Sequence, residues 1–362
     1  MSQAIKWAAI LWVAVAGGAS AGDAGSHIVP ATTVLRYEDG RPSARYRLDA
    51  EDVGPVLLHG EGPNLCDIYG ARDVWAFKVG GTVYLHYDAA GPAGWLAALA
   101  TTTDLKHFVR KGAILELGNA SQADSASASY GTTYFDGRIW RMFYLATRNA
   151  TPPPGRIPAL PYVTLAARSR APEGPWVKET GLIPFTVRAG TYYGVTASPG
   201  FIVKQGDTYL QFFSAAMPRT IGIARTKNLD GRWTLDPEPI LPREEQIENS
   251  SIYFQESSRT WFLFTDHVGV RNGFEFTDAI WVYWSQDLEH WDPNHRAIVL
   301  DNTNQHWSPG IVGLPSVVPV GGRLAIFYDG RRPTREHPDP IGHLYRDVGL
   351  AWLDLPIHLP DR

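Results

Sequence analysis

Cys66 is the only cysteine among 362 residues, so no intrachain disulfide can form and no cysteine-based zinc site can be built. Stability has to come from a packed core. Charge is scarce as well. Charged residues make up 19% of the chain and the formal net charge is −4, which excludes the basic footprint of a nucleic-acid binder. No cofactor motif is present either: a GxSxG elbow, a Walker loop and an HExxH pair are all missing. We therefore expect no cofactor and assign no metal ligands. Long hydrophobic runs are missing apart from Trp7 to Ala16, well short of the roughly 20 residues a bilayer requires. Lys6 precedes this run and Ala19-Ser20-Ala21 follows it, the small-x-small pattern of an export signal. The expectation is a signal peptide over residues 1–21, with residues 22–362 secreted or periplasmic and off the membrane after cleavage. The competing reading is a membrane anchor.

Aromatics and turn residues are abundant. Thirteen Trp, sixteen Tyr and fourteen Phe stand beside thirty-five Gly and twenty-seven Pro, a mixture of strand formers and turn formers that favours an all-β chain. These residues repeat. A tight turn followed by an alternating aromatic strand occurs at Gly80-Gly81-Thr82 to Tyr87, at Asp136-Gly137 to Tyr144 and at Gly206-Asp207 to Phe213. It returns at Ser258-Arg259 to Phe264 and at Gly321-Gly322 to Tyr328. Each is a hairpin signal. A second strand leading to an aromatic follows, clearest in Ala100 to Phe108 and Tyr283 to Trp291, with looser copies ending at Trp176 and Trp233 and a truncated one at Trp352. Copies lie roughly 50–70 residues apart, the periodicity of a propeller or array. The expected fold is all-β, a single five-bladed β-propeller from about Val56 to Trp352, with the residues before Val56 pairing with the last blade. The Thr151-Pro152-Pro153-Pro154-Gly155 segment is expected to be a surface loop, because proline cannot donate in a central ladder.

In a propeller the first strand of each blade lines the central channel, so carboxylates at the starts of those strands are candidates for chemistry. Asp73 precedes the first apolar strand, with Asp67 as its rival. Asp124 opens the second repeat and Glu248 the fourth, while Val195 to Gly200 in the third holds no acid and the fifth offers His306. Arg72, Trp75, Tyr192, Tyr193 and Trp307 lie near strand starts and are candidates to stack on or hydrogen-bond to a sugar, against the plainer role of packing between blades. His86, Asp88, Asp266, His267, Asp329 and Arg331, at the far ends of second strands, are expected to lie away from the channel mouth.

The run Asp73 to Leu85 resembles the first-blade signature of the five-bladed glycoside hydrolases of families 43, 32 and 117, in which an Asp opens the innermost strand. Ile247-Glu248-Asn249 is similar to their acid-bearing strand start, and the Asp-Leu-x-His-Trp ending at Trp291 to their blade closures. The repeated boxes of sialidase-type propellers are missing. The resemblance implies a carbohydrate substrate and hydrolysis by paired carboxyls, one protonating the leaving oxygen and one acting from the opposite face of the sugar. Asp73 would be the base and Glu248 the acid of an inverting enzyme, with Asp124 tuning it. One departure stands out: families 43 and 32 carry the acid Glu in the third blade, whereas Glu248 opens the fourth. A family-117-like arrangement, with His306 as the acid, stays open. So does a carbohydrate-binding propeller without catalysis, and for each carboxylate a role in capping a turn or pairing with an arginine.

Overall fold

The computed structural model describes residues 24–32, 37–216, 219–271, 274–334 and 342–360. The proposed signal sequence lies outside them. Strands and the turns between them make up nearly all of the described chain. Among the described residues, regular helix is limited to the short 3-10 turns Pro63–Leu65 and Arg243–Glu245, and neither is long and apolar enough to cross a membrane.

The hairpin signals fold as hairpins, and each opens an antiparallel meander. Gly70–Val79 pairs with Thr82–Gly91, which pairs with Gly94–Thr102 and then Val109–Ala113. The same order runs through Ser127–Phe135, Trp140–Thr147, Val163–Ser169 and Val177–Lys178. It runs again through Thr196–Gln205, Thr208–Ala216, Thr220–Thr226 and Thr234–Leu235, and through Ile247–Gln255, Thr260–Arg271, Phe274–Ser285 and Arg296–Asp301. The last group is Gly313–Val320, Arg323–Gly330 and Asp347–Asp354. Its fourth strand comes from the other end of the chain: Glu51–Leu57 pairs antiparallel with Asp347–Asp354. The Pro-rich Thr151 to Pro154 segment is exposed, within the connection between the second and third strands of its group.

Core packing follows from the strand pattern. Each sheet has two apolar faces that must be buried, and a meander cannot cover both by itself. Separate hydrophobic clusters fill the spaces between successive groups. Leu96, Tyr144 and Trp176 pack between the first and second, Phe143, Phe213 and Trp233 between the second and third, and Phe212, Trp281 and Leu263 between the third and fourth. Phe264, Ile280 and Tyr328 join the fourth to the last. A further cluster, with Leu85, Tyr87, Phe327 and Leu350, joins the last group to the first.

One irregularity recurs in every first strand. The hairpin register slips between Arg72 and Trp75, between Ala128 and Gly131, between Ser198 and Phe201, between Glu248 and Ser251, and between Gly313 and Ser316. Each is a β-bulge that sets two residues against one and re-aims the side chains. Asp73 and Asn249 are the first bulge residues of their strands and adopt left-handed backbone, φ 50° and 57°, which short polar side chains tolerate. The bulges place Asn249, not Glu248, at the position equivalent to Asp73. Glu248 matches Arg72 instead.

Candidate active site

Because the strands of a hairpin run in opposite directions, the residue just before each bulge faces the end of the following strand. Arg72 pairs with Asp88, Glu248 with Asp266, and Gly313 with Asp329. The expectation that these second-strand carboxylates lie away from the channel mouth is therefore overturned: they sit at the same end as Asp73 and Glu248. The chain marked them all along, since Tyr87-Asp88, Thr265-Asp266 and Tyr328-Asp329 each end an aromatic strand at the same step of the repeat.

Hydrogen bonds knit the sheets together here. The Tyr130 backbone N–H donates to the Asp88 carboxylate, and the Tyr130 hydroxyl donates to Asn249 Oδ1 at 3.3 Å. Asn249 Nδ2 donates in turn to Asp266 at 2.9 Å. Asp88 also stands close enough to Asp73 for the two carboxyls to act on each other. Arg72 reaches Asp73 at 3.0 Å and lies 3.6 Å from Asp329, which pairs with Arg346 at 2.9 Å. Arg219 lies 3.3 Å from Glu248. His343, from the connection after Arg323–Gly330, accepts a hydrogen bond from Arg72 at its Nδ1, 3.1 Å away, which leaves the proton on Nε2. Asp73 and Glu248 keep 15% and 24% of their side-chain surface open, enough for a ligand to reach both.

Burial and charge set the protonation pattern. Burial pushes Asp88 well above the usual carboxylate range, and the neighbouring Asp73 pushes it further. Burial does the same to Asp266, reinforced by Glu248. Asp73 is raised by burial despite the opposing pull of Arg72. Asp329 behaves differently: burial alone would raise it, but Arg346 and Arg72 outweigh that and hold it low. His343 is pulled down to about 3, first by burial and then by Arg72, Arg346 and Arg219. The site thus holds two carboxyls pushed toward their uncharged form, one held toward its charged form, and an imidazole pushed toward its neutral form.

The other candidates fall elsewhere. Asp124 is buried in an ion pair with Lys178 at 2.5 Å and accepts the Tyr144 hydroxyl at 2.8 Å, so it braces its own sheet. His306 is exposed, and its backbone N–H points to Asp52 on the outermost strand of the last sheet. Tyr192 and Tyr193 are core residues against Phe213, and the Tyr192 hydroxyl donates to the Asp236 carbonyl. Trp307 donates its indole N–H to the Tyr328 hydroxyl at 2.6 Å and packs within the last sheet. Trp75 is buried against Phe201 at 5.3 Å, filling space between first strands. Asp67 is fully buried and accepts from the backbone of Gly60 and Gly62 and from Tyr87 and Arg110, so it shapes its loop. Of the residues singled out in the sequence, the structure gathers Asp73, Arg72 and Glu248. Sequence reasoning placed Asp88, Asp266 and Asp329 elsewhere and did not single out Tyr130, Asn249, Arg219, His343 or Arg346. Among the described residues no group of three or more His, Cys, Asp or Glu is arranged to hold a metal ion.

No family model matches this sequence, and a search of curated proteins finds no match. Solved structures do match over most of the chain. The catalytic domain of a family 62 α-L-arabinofuranosidase from Coprinopsis cinerea aligns over 84% of this chain and 96% of its own, at 13% identity and a TM-score of 0.59. A family 117 glycoside hydrolase from the marine bacterium Zobellia galactanivorans aligns over 85% and 91%, at 14% identity and a TM-score of 0.59. An endo-arabinase from Bacteroides thetaiotaomicron aligns over 79% and 94%, at 14% identity and a TM-score of 0.56. The chain therefore shares its all-β fold with glycoside hydrolases of the kind its sequence motifs resemble.

Proposed function

We propose that this chain is a secreted glycoside hydrolase built as one closed five-bladed β-propeller, with Asp73 as general base, Glu248 as general acid, and inversion at the reacting carbon. Support for the architecture comes from the repeated meanders and from the core cluster that joins the last group to the first. Two ties between first strands add to it: Ala76 N–H donates to Ser316 and Val317 N–H donates to Ser251. Closure by Glu51–Leu57 would also bury an otherwise open sheet edge. Export rests on the Ala19-Ser20-Ala21 pattern alone.

The observation that carries the chemistry is the convergence of Asp73 and Glu248, both reachable, at one end of the molecule. A base must be deprotonated and held in position. Arg72 supplies the counter-charge, and the neighbouring Asp88 carboxyl is pushed toward its protonated form by burial. In an inverting reaction Asp73 takes a proton from water as that water attacks the anomeric carbon, while Glu248 gives its proton to the departing oxygen. His306 is a poor alternative acid, since it sits out by Asp52.

Incubation with a panel of plant, algal and bacterial glycans, read by released reducing ends, tests the activity. Proton NMR of the first product anomer tests inversion. Glu248→Gln should slow natural glycans far more than activated aryl glycosides, which need little protonation to depart. Full activity in Asp73→Asn would overturn the assignment of the base.

A further inference from the structure

Arg72 is, among the described residues, the cation hydrogen-bonded to Asp73, and other groups compete for it. Its Nε lies 3.6 Å from Asp329, and its Nη1 reaches both Nδ1 and the backbone carbonyl of His343, at 3.1 and 3.4 Å. These contacts draw on the guanidinium from the last sheet. Against them stands the buried ring of Trp95, on the third strand of the first sheet. Its centre lies 5.5 Å from the Arg72 guanidinium carbon, within reach of a cation–π attraction.

Trp95 is itself held from two sides. Its carbonyl accepts from Ser127 Oγ at 3.2 Å, where the first and second sheets pair, and its indole N–H donates to the Gly155 carbonyl at 2.9 Å. Gly155 is the buried member of the otherwise exposed Thr151 to Gly155 stretch, and a Cβ there would stand 3.0 Å from Leu344 Cδ1. Leu344 follows His343, so the contacts close on themselves: Arg72 to Trp95, Trp95 to Gly155, Gly155 to Leu344, and His343 back to Arg72. A side chain ringed in this way loses its alternatives, because each neighbour is fixed by the next. We propose that Trp95 is a positioning residue for the base: its ring, locked by the Gly155 carbonyl, keeps the Arg72 guanidinium on Asp73, so that the Pro-rich connection of the second sheet fixes an ion pair in the first. The inference rests on the reading of Asp73 as the base.

The test compares Trp95→Leu, which removes the ring, with Trp95→Phe, which keeps a ring but loses the tie to Gly155. Asp73 also faces Asp88, Tyr130, Asp329 and Arg346, and neither substitution alters a hydrogen bond or ion pair of those groups, so a change in its titration reports Arg72. The readout is the acidic limb of kcat/KM against pH, which follows the base in the free enzyme. A guanidinium drawn off Asp73 stabilises the carboxylate less, and the carboxyl then holds its proton to higher pH. In Trp95→Leu the limb should rise by about one pH unit, a loss of about tenfold on the acidic side that is recovered at higher pH, and Trp95→Phe should move it the same way by less. Trp176→Leu, which opens the core between the same two sheets beside His86 instead, should lower the melting temperature without moving the limb. A limb unmoved in both Trp95 variants, or moved as far in Trp176→Leu, would overturn the proposal, and if Trp95→Leu does not fold, Trp95→Phe decides. Carbon-13 NMR titration of the Asp73 carboxyl, assigned by its loss in Asp73→Asn, makes the same comparison without turnover. A shifted Asp73 in a protein that cleaves no glycan would remove the hydrolase reading and keep this inference. An unshifted one in an active enzyme would do the reverse.

Discussion

At the scale of single residues, the site is a set of carboxyls differentiated by their neighbours. Asp88 and Asp73 are neighbours, and because two like charges in close contact are disfavoured when buried, the more enclosed Asp88 is pushed further toward its protonated form. An amide reproduces that state. Asp88→Asn, with its Oδ1 still accepting from Tyr130 and its N–H facing Asp73, should retain kcat within about tenfold. Asp73→Asn should lose on the order of 10²–10⁴ in kcat. If Asp88→Asn were as inactive as Asp73→Asn, Asp88 would have to act in its charged form. Asp73 and Arg72 were legible in the sequence because they stand before an obvious apolar strand. Asp88, Asp266 and Asp329 were overlooked for a geometric reason: distance along a hairpin was taken for distance in space, whereas the end of its second strand lies beside the start of its first.

At the scale of elements, the same bulge shapes all five first strands. In the third sheet it is made by Pro199 and Gly200, and Gly200 is there for clearance: a Cβ would overlap the Phe212 carbonyl oxygen, which is backbone and cannot move aside. Gly200→Ala should therefore cost about 3 kcal/mol, measurable as a lower urea midpoint with an unchanged m-value. A second expectation concerns Glu51–Leu57. Its removal would bare the edge of Asp347–Asp354 and uncover Val348 and Leu350 of the cluster that joins the last sheet to the first. Protein lacking the residues up to 57 should be insoluble or melt well below the full chain, and an unchanged melting temperature would show that the strand fastens nothing. That material before Val56 would pair with the last repeat was legible from the missing fourth strand there. Connections were harder to place: the Pro-rich loop sends Gly155 to accept the Trp95 indole N–H, and the Trp95 ring lies 5.5 Å from the Arg72 guanidinium.

At the scale of the whole molecule, stability should depend on pH through a buried imidazole. His86, fully buried between the first and second sheets, is pulled down to about 3 by burial. Unfolded histidine titrates near 6.5, so between about pH 6.5 and 3 the unfolded chain binds more protons than the folded one. Through His86, stability falls as the pH drops from about 6.5 toward 3, while Asp88 and Asp266, raised by burial, act in the opposite sense. Asp329, held low by Arg346 and Arg72, adds a further loss below the ordinary aspartate range. His86 alone should lower the unfolding free energy from urea melts by on the order of 2 kcal/mol between pH 7.5 and 4.5, so His86→Gln should shift the difference between those two pH values by about that amount. A difference unchanged in His86→Gln would contradict this. What the sequence by itself determined is what neighbouring residues decide: alternating aromatic strands, glycine turns between them, their repetition, and an acid at the head of the first. Tertiary structure alone decided which groups meet, because Asp73, Arg219, Glu248, Asp329 and Arg346 belong to separate sheets or connections, and no local pattern encodes their convergence. It also decided their charges, since burial and the arginines nearby, not residue type, make Asp88 an acid and Asp329 an anion.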